Sequence, residues 1–81
     1  MKIRPDKKLF WFLKDNTELD LAKPASLEMY VQQVISRGRM EDVKFLLAHV
    51  NFEQFKKVFL KIKRFLTWEV RKFWEDFIEN H

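Results

Sequence analysis

The chain has no cysteine, a single glycine and only two prolines among its 81 residues. Without cysteine there is no disulfide framework, no thiol nucleophile and no thiolate metal site. One glycine is too few for a phosphate-cradling loop of the Walker or dinucleotide-binding type, since each needs several. The longest uninterrupted apolar run is Leu9 to Leu13, well below the roughly 18 residues of a transmembrane helix. The opening residues MKIRPDKK lack the apolar stretch of a secretory signal. These absences predict a cytoplasmic protein with no membrane association.

Aromatic side chains are abundant instead. Nine Phe, three Trp and one Tyr make up 16% of the chain, with 47% hydrophobic and 35% charged residues overall. That balance predicts one folded domain over residues 1–81, with 1–8 as a flexible lead. A domain this short buries only about 60% of the surface its unfolded chain exposes. Large rings bury the most area per residue, so core filling accounts for most of the aromatic excess.

Periodicity predicts an all-α fold, a compact bundle of four main helices at about 24–37, 40–50, 52–63 and 68–79. Pro24 suits a first helical turn, where its missing N–H costs nothing. Leu27, Tyr30, Val31, Val34 and Ile35 then recur at three-four spacing. Gly38 falls where a helix takes a left-handed terminal residue. Val43, Leu46, Leu47 and Val50 form the second stripe, and Glu41 and Asp42 favour the positive end of that helix. Asn51, with Gln54 three residues on, reads as the cap of a third helix, whose stripe is Phe52, Phe55, Val58, Phe59 and Ile62. Thr67 caps the fourth, with Val70, Phe73, Trp74, Phe77 and Ile78 facing inward. The run from Lys8 to Lys14 (KLFWFLK) is too short for periodicity to separate helix from strand. With no second strand evident, it is expected as a short helical or extended segment packed on the bundle.

Catalytic chemistry finds few candidates. The histidines are His49 and His81, and the polar stretch Asp15–Asp20 lacks the glycine and the final glutamate of a calcium loop. Thr67 is used as a cap, and the adjacent pairs Glu41-Asp42 and Glu75-Asp76 point about 100° apart on a helix. Glu75 and Glu79 share a face, but with Arg71 and Lys72 beside them they read as a salt-bridged surface. The expectation is a non-enzymatic protein with no catalytic residues, no cofactor, no metal and no small-molecule substrate.

Two surface patterns point to partners. The net charge is +4, from 16 basic and 12 acidic residues, and residues 56–64 (KKVFLKIKR) carry five positive charges and no acid. On a helix Lys57, Lys61 and Arg64 form a row opposite the apolar stripe, flanked by Lys56 and Lys63, and such a row can track nucleic-acid phosphates. It can equally be a solvated face, partly neutralised by Glu53 four residues before Lys57. A helix-turn-helix over 43–63 would have little besides Gln54 for reading bases. The second pattern is one large apolar residue off each core stripe: Met29, Phe45, Leu60 and Trp68. They assemble a contact surface for a protein partner or a second copy, or they bury against the N-terminal segment; the spacing alone leaves both open.

Leu9-Phe10-Trp11, Val34-Ile35-Ser36-Arg37-Gly38 with Glu41-Asp42, Arg64-Phe65-Leu66-Thr67 and Phe73-Trp74 are landmarks in their own right. Together they resemble a small uncharacterised prokaryotic all-helical family marked by L-F-W, R-x-L-[S/T] and F-W motifs. Phe12 and Gln33 depart from it, standing where an acidic residue and an arginine are common. Members of that family are often encoded beside abortive-infection-type nucleotidyltransferase toxins. The resemblance therefore implies an antitoxin-like or accessory partner, and it carries over no catalytic residue.

Overall fold

Pro24 occupies the first turn of helix α1 (Pro24–Arg37), as its missing N–H requires. Three further helices follow, α2 (Met40–His49), α3 (Phe52–Ile62) and α4 (Trp68–Glu79), in a computed structural model that describes residues 2–14 and 17–80. The chain is an all-α bundle with one very small ribbon, in which β1 (Lys2–Ile3) pairs antiparallel with β2 (Leu19–Asp20). Ile3 lies opposite Leu19 in that pair, and both side chains are buried, so the segment at 2–8 contributes to the core. Asp15, Asn16 and His81, which entered the metal argument, lie outside the described residues. Among the described residues no helix is long and apolar enough to cross a membrane.

α1 lies at the centre and touches α2, α3 and β2. Its whole predicted stripe, Leu27, Tyr30, Val31, Val34 and Ile35, is buried. Leu46 and Val50 reach in from α2, and Phe55, Val58, Phe59 and Ile62 from α3. α4 is anchored through Trp74, whose indole meets the Phe55 ring edge-on at 5.5 Å. A Lys63–Glu75 ion pair at 3.9 Å spans the same junction. The caps read from sequence are in place: Asn51 Oδ1 accepts from the Gln54 N–H at 2.8 Å, and Thr67 Oγ1 from the Val70 N–H at 3.4 Å.

Three expectations need correction. Gly38 is not left-handed: it sits at φ −73° and ψ 161°, ordinary extended backbone. Glycine is needed there for space, because a Cβ would collide with the Val34 carbonyl oxygen and come within 3.2 Å of Asp42 Cβ. The third helix stops at Ile62, and Lys63–Phe65 tighten into a 3-10 turn that swings the chain toward α4.

The run at 8–14 is neither helix nor strand but a chain of turns. Asp6 organises it, its Oδ1 accepting from the Lys8 N–H and its carbonyl from the N–H groups of Leu9 and Phe10. Only Leu9 and Phe10 are buried, and Gln33 Nε2 donates to the Leu9 carbonyl at 2.9 Å, tying the segment to α1. The turns leave Trp11 and Phe12 exposed. Last, Phe73 is not in the core. It is 61% exposed, while its neighbour in the same stripe, Trp74, is the one buried against Phe55.

Tyr30 gives a pH signature of this packing. It is buried and stacks on Phe10 at 5.8 Å. Burial, aided by the negative charge of Asp42, pushes its phenol up to about 12. Between pH 10 and 12 the folded chain keeps a proton that the unfolded chain releases, so stability is intact below pH 10 and falls as pH rises toward 12. Because this is the only tyrosine, ultraviolet titration reports it without ambiguity. Folded protein should ionise well above the ordinary tyrosine range, and titration near pH 10 would contradict the packing.

Candidate functional site

Every amphipathic helix has a stripe wider than one neighbour can cover, and what is left uncovered depends on spacing between helices. On α2, Met40, Val43 and Leu47 stand at i, i+3 and i+7, beside the buried Leu46. On α4, Val70, Phe73 and Phe77 repeat the same spacing beside the buried Trp74. The two rows face each other across a groove of about 460 Å³ with Ile35 and Trp74 also in its lining. Phe73 and Met40, the latter 67% exposed, open it to solvent. Val43, Leu47, Val70 and Phe77 are half-buried and pack against the core from the groove side.

Charge is confined to the rims. Arg39 and Lys44 line the α2 side, and Glu69 lines the α4 side. Arg39 precedes the first turn of α2, where its backbone N–H donates to Asp42 Oδ2 at 2.8 Å. Such a surface, apolar in the middle with ions only at the edge, can desolvate against another apolar surface while its charges stay hydrated. Its charged lining residues are Arg39, Lys44 and Glu69.

The residues singled out from sequence fall in different places. Met29 is half-buried and packs against the core. Phe45 stacks on His49 at 4.1 Å and lines a 280 Å³ cleft against Ile3, Leu9, Phe10 and Tyr30, so it meets the N-terminal segment. Leu60 and Trp68 are exposed on α3 and at the start of α4, and neither lines the groove. Four residues chosen for standing off their stripes thus do not share one surface.

The groove's large apolar residues were assigned to the core from sequence, apart from Met40, which stood unassigned. The available signal was the repeated i, i+3, i+7 row on two helices, together with stripes of five residues on a chain too small to cover them all.

Of the basic set, Lys56, Lys57, Lys61 and Arg64 are exposed. Lys57 and Lys61 border a shallow 160 Å³ hollow beside Pro24 and Glu28. The Arg64 guanidinium lies over the Phe65 ring at 4.8 Å, and Lys63 turns away to Glu75. Lys56, Lys57 and Lys61 form no ion pair among the described residues. Compared with known proteins, the chain matches no family model, no curated protein and no solved structure.

Proposed function

We propose that this protein is a non-enzymatic interaction module whose α2–α4 groove receives an apolar surface of a protein partner. The observation that carries this reading is the groove itself, two facing apolar rows with their charges at the rims. Exposed apolar patches of this kind mark protein contact sites more often than chance. The resemblance of its L-F-W, R-F-L-T and F-W segments to the family described above points to the class of partner. That partner is a nucleotidyltransferase-type toxin encoded alongside, with this chain as its antitoxin-like or accessory subunit.

Co-expression with such a neighbouring protein should give a complex that co-purifies. Phe73→Glu should abolish it by placing a charge in the middle of the groove, at little cost in stability because Phe73 is exposed. Separate elution of the two wild-type proteins would remove the toxin-partner reading.

A second reading is supported by Lys56, Lys57 and Lys61 of α3, which form no ion pair among the described residues. Nucleic-acid contact through Lys56, Lys57, Lys61 and Arg64, with Lys63 giving up part of its charge to Glu75, predicts binding that weakens steeply with salt. In Lys57→Glu with Lys61→Glu it should be lost. Binding indifferent to salt or to that double substitution would end this reading.

A further inference from the structure

Three features of the molecule could receive something: the basic face of α3, the cleft between Phe45 and the N-terminal segment, and the α2–α4 groove. The cleft is lined by residues of the chain's own N-terminal segment and core, with nothing to name an occupant, and the basic face is the nucleic-acid reading already given. The groove carries more, because its rims say what fits it.

We propose that, in the absence of another partner, the groove is occupied by a second copy of this chain, related by a two-fold axis running along the groove. This rests on reading the groove as a protein-docking surface, and it names the occupant. The argument is charge complementarity. Arg39 and Lys44 stand on one rim and Glu69 on the other, all three exposed and none in an ion pair among the described residues. Of the other acids of α4, Glu75 pairs with Lys63 and Asp76 with Lys72, and Glu79 does not line the groove.

Two ways of placing a second copy over the groove have to be compared. A two-fold axis across the groove sets α2 on α2, laying basic rim on basic rim. An axis along the groove sets each α2 against the other copy's α4. Basic rim then meets acidic rim twice, and the row Met40, Val43 and Leu47 meets the other copy's α4 row. Both rows carry the spacing of helices that pack side by side in four-helix bundles. An isologous contact of this kind closes at two subunits, because each groove is used up by the other.

Sedimentation velocity on the full chain, over a wide range of concentration, tests the proposal. The wild type should pass from the monomer mass of 10.0 kDa to twice that value as concentration rises. Phe73→Glu should stay at the monomer mass. Glu69→Lys, which sets like charges against each other at both rims, should weaken association on the order of tenfold or more. Combining Glu69→Lys with Arg39→Glu and Lys44→Glu swaps the two rims and should restore it. Helical circular dichroism should be unchanged throughout, since every substituted residue is exposed.

A wild type that remains at monomer mass throughout would overturn the proposal, as would a dimer indifferent to both Phe73→Glu and Glu69→Lys. A monomeric wild type whose complex with a toxin is still broken by Phe73→Glu would overturn self-association alone and leave the docking reading standing.

Discussion

Replacing Phe55 with alanine should lower the stability of the domain by about 3–5 kcal/mol. Phe55 is fully buried, and its ring lies between the rings of Phe52 and Phe59 at 6.5 Å and Trp74 at 5.5 Å. The substitution removes the transfer energy of the ring and leaves a cavity bounded by other large rings, which cannot collapse without leaving their rotamers. Small domains have total stabilities near the lower end of about 5–15 kcal/mol, so the loss is a large part of the whole. Because α4 is anchored by Trp74 against Phe55, the cavity opens at the seam between α3 and α4. Denaturant unfolding followed by helical dichroism should show a much lower midpoint, with tryptophan emission shifted toward that of solvated indole. A variant as stable as the wild type would mean that α4 is held by something else.

Gly38→Ala should destabilise by about 1–3 kcal/mol, against the usual direction for removing a flexible glycine. At a permissive site that change stabilises by roughly 0.4–1 kcal/mol, because the unfolded chain has less freedom to lose. Here the added methyl meets the Val34 carbonyl oxygen, the same oxygen to which the Gly38 N–H donates at 2.8 Å. On its other side stands Asp42 Cβ at 3.2 Å, and that carboxylate holds the Arg39 N–H. Backbone on one side and a capping side chain on the other leave the methyl no cheap way out, so the turn between α1 and α2 must widen. Valine at this position should cost more than alanine. Thermal unfolding of both variants checks the ordering, and a stabilised alanine variant would show that the turn has room to spare.

The helices were legible because their ends are written in residues with a single physical use. Pro24 at a first turn, Asn51 and Thr67 as caps and Gly38 between α1 and α2 place four helices in the sequence to within a residue at every end. The ribbon was not legible, since two residues per strand carry no alternation to read. Gly38 shows a subtler gap. Its position was readable, but its reason was not, because a crowded carbonyl and a positive φ both demand glycine and only the backbone path separates them. The groove was hidden for a related cause. Phe73 and Trp74 both belong to one stripe, and which of them is covered depends on where α2 and α3 lie, which is a property of the assembled bundle.

The central claim is that the apolar rows of α2 and α4 form a docking surface distinct from the other exposed apolar residues. Titration calorimetry with the proposed nucleotidyltransferase-type partner, run on the wild type, Phe73→Glu and Leu60→Glu, tests it most directly. Phe73 lines the groove and Leu60 does not, although the two are exposed to a similar degree, 61% and 56%. The docking proposal predicts that Leu60→Glu binds as the wild type does, while Phe73→Glu loses binding with its fold intact. Equal binding by all three proteins, or loss confined to Leu60→Glu, would contradict it.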